Sequence, residues 1–129
     1  MNIGKAAKLS NLTIKAVRYY GDIGLIKPKK NILTGYREYT NEEVSKLKFI
    51  GKARKFDFSI NECNELLSLY ENKKRSSKEV KKITLEKISQ IDLKLKDLKD
   101  LKVELSYLAN NCHGDNRPNC PILDELAKC

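Results

Sequence analysis

The stretch Asn2-Ile3-Gly4-Lys5-Ala6-Ala7-Lys8-Leu9-Ser10-Asn11-Leu12-Thr13-Ile14-Lys15-Ala16-Val17-Arg18-Tyr19-Tyr20 reads as two short helices joined by a tight turn. Asn2 can cap a helix Ile3–Lys8, Ser10-Asn11-Leu12 supplies the turn, and Thr13 can cap a second helix through Tyr20. Ile3, Ala6, Ala7, Leu9, Leu12, Ala16 and Val17 then form the inner seam of two crossed helices. The spacing is that of a helix-turn-helix. Thr13 stands at the leading end of the second helix, and Lys15, Arg18 and either Tyr19 or Tyr20 point outward, which suits phosphates and base edges in a major groove. An ordinary helical hairpin with a solvated basic face has the same local pattern, so the neighbouring residues must decide.

Downstream, Gly24-Leu25-Ile26 ends the helical region and Pro28-Lys29-Lys30 opens an extended segment. Thr34-Gly35 supplies a turn, and Tyr36-Arg37-Glu38-Tyr39 alternates like a strand, so the spacing predicts a small hairpin wing. Thr40-Asn41-Glu42-Glu43 and Ser59-Ile60-Asn61-Glu62 are capping boxes that open two further helices. The first has Val44, Leu47, Ile50 and Gly51 inward, with a further turn Ala53–Phe58 carrying Arg54 and Phe58; the second reaches Tyr70 with Cys63 at core spacing.

Charge points to the partner. Residues 1–75 carry 16 Lys+Arg against 8 Asp+Glu, a net of +8, while residues 76–129 carry 10 against 9, a net of +1. A basic surface concentrated in one half is the electrostatic footprint of nucleic-acid binding. This half has no basic amphipathic helix with apolar anchors that would suit a membrane surface instead. No apolar run approaches the ~20 residues of a membrane helix, and no apolar signal core follows Met1-Asn2-Ile3-Gly4-Lys5, so a cytoplasmic location is expected. One histidine and no clustered acid–base constellation leave catalysis nothing to use, which argues against an enzyme.

Together, Ile3, Lys15-Ala16-Val17-Arg18-Tyr19-Tyr20, Gly24-Leu25-Ile26, Pro28, Gly35-Tyr36-Arg37-Glu38-Tyr39 and Phe58 resemble the N-terminal domain of the MerR family of bacterial transcription regulators. The resemblance implies that the helix-turn-helix reads the major groove. It also implies that Tyr36 and Arg37 on one wing, and Arg54 and Phe58 on a second, helical wing, hold the adjoining backbone; the expected DNA-contact set is Thr13, Lys15, Arg18, Tyr20, Tyr36, Arg37, Arg54 and Phe58. Gly21 departs from the pattern where an acidic residue is usual, as does Asp57 where glycine is usual.

From Lys78 to about Asn110 there is neither Gly nor Pro, and Ile88, Ile91, Leu95, Leu98, Leu105 and Ala109 keep a 3-4 spacing interrupted by Lys102. A helix of some thirty residues is ~45 Å long, and an apolar stripe of that length calls for a second chain. The expectation is a two-fold dimer through a coiled coil, with two heads on an inverted-repeat site in double-stranded DNA; a helix folding back on its own head is the alternative. The MerR resemblance implies an antiparallel pair. The chain thus divides into a DNA-binding head over 1–75, a dimerisation helix over 76–110 and a loop with a short helix over 111–129.

Cys112-His113-Gly114-Asp115-Asn116-Arg117-Pro118-Asn119-Cys120-Pro121 holds two cysteines around seven residues of turn chemistry, so the sulfurs can meet. Pro121 suits the first position of a short helix, which sets Cys120 at an N-terminus that favours thiolate. Two thiolates are too few for a closed zinc site but can satisfy a soft monovalent ion such as Cu(I). A disulfide is the plainer reading, and a reducing compartment disfavours it. His113 and Cys129 are secondary ligand candidates, while Asp115, Asn116 and Asn119 are expected to satisfy loop backbone.

Cys112 and Cys120-Pro121-Ile122-Leu123 closely resemble the copper-efflux-regulator branch of the same family. Divalent-metal sensors of the family carry a further cysteine at the position of Ser77; its absence favours Cu(I), or Ag(I) or Au(I), as the effector. The resemblance implies activation of copper efflux or detoxification genes by distortion of an over-long promoter spacer for RNA polymerase. A thiol redox sensor or divalent-metal sensor of the same fold and a small metallochaperone are the competing readings.

Overall fold

The computed structural model describes residues 1–115, 118 and 120–128, and they are mainly helical with one two-stranded antiparallel hairpin. The chain divides into two compact units, Met1–Lys82 and Ile83–Cys129.

In the first unit, α1 (Ile3–Ser10) begins where Asn2 Oδ1 accepts the Lys5 N–H at 2.9 Å. It ends at Asn11, whose left-handed backbone (φ 58) turns the chain. Helix α2 (Ile14–Asp22) is capped by Thr13 Oγ1, which accepts from the Ala16 N–H at 3.0 Å. Strand β1 (Lys29–Lys30) pairs with β2 (Arg37–Glu38) in the register Lys29 opposite Glu38 and Lys30 opposite Arg37. Both expected capping boxes form, Thr40 with Glu43 at the head of α3 (Asn41–Lys55) and Ser59 with Glu62 at the head of α4 (Ile60–Glu71).

Ala6, Ala7, Val17, Tyr20, Leu25, Ile26, Tyr39, Val44, Leu47, Ile50 and Leu67 form one buried cluster. Small residues permit its close packing: a Cβ on Gly51 would lie 3.0 Å from Leu12 Cδ2. The strand end is tied to Met1, whose ammonium donates to Tyr39 O at 2.8 Å while its carbonyl accepts the Tyr39 N–H at 2.7 Å. Cys63 is fully buried, as its core spacing requires. Leu9, expected on the inner seam, is instead 46% exposed, because the buried face of α1 is formed by Ala6, Ala7 and Ser10 and Leu9 lies to one side of it.

Helix α5 (Ser77–Asn110) runs for 34 residues, and just ahead of it the Ser76 hydroxyl accepts from the Lys78 N–H at 3.1 Å. Ile88, Leu95, Leu98 and Leu105 along it remain about half or more exposed to solvent. Helix α6 (Pro121–Ala127) starts with proline at its first position and Cys120 just ahead of it. No described helix is long and apolar enough to cross a membrane.

Candidate nucleic-acid interface and metal-ligating loop

Thr13, Lys15, Arg18 and Tyr19 lie exposed along α2, so the helix presents two cations and a phenol on one outer surface. Of the adjacent tyrosines, Tyr19 is 50% exposed and Tyr20 8%, because a step of ~100° around the helix carries the second ring into the cluster with Val17 and Tyr39. The expectation that Tyr20 contacts DNA through its ring is therefore corrected: it packs the core, and Tyr19 faces out.

On the hairpin, Tyr36 is exposed while Arg37 is partly exposed and bonded to α2. Arg37 Nη1 donates to Arg18 O at 3.1 Å and Nη2 pairs with Asp22 Oδ1. The Asp22 carboxylate raises the pKa of Arg37 further, so the guanidinium ties the strand to the C-terminal end of α2. Gly21 makes room for it: a Cβ there would stand 2.8 Å from Arg37 Nη1. Asp22 is a residue that sequence reasoning passed over. The absence of an acid at Gly21 was visible, but the carboxylate one place on could be linked to Arg37 only by the fold.

At the α3–α4 corner Asp57 adopts φ 69, the left-handed conformation for which glycine is the usual residue. Arg54 Nη1 reaches across the corner to Phe58 O at 2.8 Å. Phe58 itself is 7% exposed, which corrects its expected contact with DNA; its ring belongs to the interior and its carbonyl holds Arg54. Arg54 and Tyr36 remain at the surface.

In the second unit, α5 ends as the Cys112 N–H bonds to Ala109 O at 3.2 Å, and Gly114 (φ 66) reverses the chain. Cys112 and Cys120 are both half-buried free thiols whose sulfurs stand 3.9 Å apart, well beyond the ~2.05 Å of a disulfide. Two metal–sulfur bonds of ~2.3 Å each span up to ~4.6 Å, so one ion can touch both sulfurs without moving the backbone. The Leu123 N–H at the start of α6 lowers the Cys120 pKa most. The Cys112 thiol and the Ile122 N–H add to this, and burial and Asp124 oppose it. Among the described residues these two sulfurs, one biased toward thiolate, are the ones brought together in the loop, and no group of three or more His, Cys, Asp or Glu side chains could hold a metal. His113 is exposed beside Cys112. Asn116, Asn119 and Cys129 lie outside the described residues.

Two family models match the chain: MerR HTH family regulatory protein over residues 1–69, and MerR, DNA binding, over residues 44–108. The chain is 46% identical over 127 residues to the HTH-type transcriptional regulator HmrR of Rhizobium leguminosarum bv. viciae, covering 98% of each. It is 40% identical over 129 residues to the HTH-type transcriptional regulator CueR of Salmonella typhimurium, covering 100% of this chain and 94% of that one. Among solved structures, the transcription regulator PbrR691 from Ralstonia metallidurans CH34 in complex with lead(II) superposes with a TM-score of 0.81 at 29% identity, over 98% of this chain and 99% of that one.

Proposed function

The chain belongs to the MerR family of helix-turn-helix transcriptional regulators, in its metal-responsive group, and we propose that the ion it answers to is Cu(I), held between the Cys112 and Cys120 thiolates. The observation that carries this reading is the pair of sulfurs 3.9 Å apart with no third grouped donor among the described residues. A soft monovalent ion, or Ag(I) or Au(I) by the same chemistry, is satisfied by two thiolates, whereas a closed zinc site asks for four donors. Ser77 supports the same choice through the family resemblance, since it stands at the sequence position where divalent-metal sensors of the family carry a further cysteine.

The work is divided along the chain. Residues 1–75 bind DNA through Thr13, Lys15, Arg18 and Tyr19 on α2, with Tyr36 and Arg54 on the adjoining backbone and Arg37 holding the wing in place. Residues 76–110 pair with a second copy through the exposed apolar face of α5, which sets two heads on an inverted repeat. Residues 111–129 would hold the ion through the Cys112 and Cys120 sulfurs, and their shared hold on it would fix the two ends of the loop between α5 and α6 against each other. Closing the loop favours one arrangement of the dimer and one shape of the promoter over another, which is the differential stabilisation any switch requires. In the distorted shape the promoter elements come into register for RNA polymerase, and copper efflux or detoxification genes are expressed.

Anaerobic titration of the reduced protein with Cu(I) and, separately, Zn(II) against a competing chelator tests the reading. We expect one tight Cu(I) per chain, much weaker Zn(II), and loss of tight Cu(I) binding in Cys112→Ser and Cys120→Ser, with operator affinity nearly unchanged in both variants. Preference for Zn(II), or loss of DNA binding in the serine variants, overturns it. The same sulfur separation also suits oxidation to a disulfide, with two electrons and two protons leaving to an oxidant. A transcriptional response to oxidant in copper-free protein would favour that second reading.

A further inference from the structure

The tip of the hairpin carries two aliphatic side chains with no neighbours to cover them: Ile32 is 98% exposed and Leu33 94%. Single exposed apolar residues are commonplace, but two adjacent ones on a well-ordered turn need a reason. The turn is fully specified by local bonds. Asn31 Oδ1 accepts the Leu33 and Thr34 N–H groups at 2.9 and 3.2 Å, the Asn31 N–H donates to Tyr36 O at 2.8 Å, and the Gly35 N–H donates to Asn31 O at 2.8 Å. Gly35 takes φ 73, which a side chain would strain. The backbone therefore holds Ile32 and Leu33 outward rather than leaving them to fold down.

The stem beneath the tip is basic. Residues 27–39 contain Lys27, Lys29, Lys30 and Arg37 against the single carboxylate Glu38, and that carboxylate accepts from Asn31 Nδ2 at 2.7 Å. Lys29 and Lys30 are exposed on β1, and Tyr36 is 76% exposed beside them. An apolar point on a cationic stem is complementary to a DNA minor groove, where phosphates line the rims and the floor and walls offer deoxyribose C–H surface and base edges.

We propose that Ile32 and Leu33 form an apolar wedge that enters the minor groove outside the segment read by α2, with Lys29 and Lys30 on the phosphates of its rims. The inference rests on the DNA-binding reading of the head and adds to it a contact made by apolar rather than charged side chains. Such a contact senses groove width and the ease of unstacking at a base step, so it contributes sequence preference where no base-edge hydrogen bond is made.

The test uses the full-length protein and duplexes that it enriches from a random-sequence library, probed by hydroxyl-radical footprinting, which reports on minor-groove sugars. The wild-type protein is expected to protect an outer patch of sugars beyond each half-site. In Ile32→Ser/Leu33→Ser that outer patch is lost, inner protection remains, affinity falls roughly tenfold and the salt dependence keeps its slope, since no phosphate contact is removed. Ile32→Leu/Leu33→Ile, which preserves apolar bulk, restores the patch. Persistence of the outer patch in the serine variant overturns the proposal and leaves the DNA-binding reading standing, even if transcription falls through a lost protein contact. Loss of inner and outer protection together in a variant of unchanged helical content also overturns it. A wild-type protein that enriches no sequence removes the DNA-binding reading and the wedge with it.

Discussion

Arg18 and Arg37 carry the same charge to different ends. The Arg18 side chain stands exposed on α2, while its carbonyl and the Asp22 carboxylate occupy the guanidinium of Arg37. Replacing Arg18 by Ala is expected to weaken operator binding by ~1–3 kcal/mol and relax preference at one base pair, with thermal stability unchanged. Binding titrations against single-base variants of the operator check this, and an unaltered affinity removes Arg18 from the interface. Asp22→Ala should act through the wing instead. The Arg37–Asp22 pair is partly open to solvent, with side-chain exposures of 28% and 53%, so its loss costs at most ~1 kcal/mol of stability. Freed from α2, the wing loses its fixed angle, and footprinting should show weakened protection at the wing's contacts with the α2 segment intact. Equal weakening across the whole footprint would mean that Asp22 holds α2 itself. Gly21 belongs to the same arrangement, because any side chain there must displace the Arg37 guanidinium, whose flexible end can yield.

Among the elements, those whose signals are local are the ones legible in the sequence. Each capping box closes within four residues, so Thr40-Asn41-Glu42-Glu43 and Ser59-Ile60-Asn61-Glu62 announce α3 and α4 without reference to the rest of the chain. Absence of Gly and Pro together with 3-4 spacing gives α5 its length to within a residue. What stayed illegible depends on packing between elements. Tyr19 and Tyr20 straddle the edge of the buried face, and only the position of β2 and its neighbours decides which ring turns in. Phe58 was expected at the DNA only through the family resemblance, and its ring is buried just past the left-handed Asp57. The two loop sulfurs were expected to meet from turn composition, and they stand 3.9 Å apart. The exposed face of α5 carries its own prediction. Leu98 lies mid-helix on the 3-4 stripe, and Leu98→Lys removes apolar burial twice in a two-fold dimer, a loss of ~3 kcal/mol or more that weakens dimerisation at least about a hundredfold. Light scattering across a dilution series should show the monomer appearing at correspondingly higher concentration. An undisturbed dimer would mean that this stripe is not the interface.

For the whole molecule, thermodynamic linkage ties the metal and the DNA together whatever the route between them. If metal changes the affinity for operator by some factor, operator changes the affinity for metal by the same factor, because the four states form a closed cycle. The proposed mechanism has the dimer on its promoter in both states, with the net +8 of residues 1–75 supplying phosphate contacts that metal at residues 112 and 120 does not alter. It therefore expects a coupling below ~1 kcal/mol: Cu(I) affinity on operator DNA within about fivefold of that of the free protein, and equal salt slopes with and without metal. The switch would then lie between two shapes of the bound complex. Cu(I) titrations of free and operator-bound protein at matched salt, together with the reverse pair of DNA titrations, test this, since the two ratios must agree before either is interpreted. A common ratio near one, with a change in DNA bending on Cu(I) addition, supports distortion within a standing complex. A common ratio of a hundred or more means that metal works by bringing the protein to DNA or releasing it, and activation by promoter distortion in place would have to be abandoned.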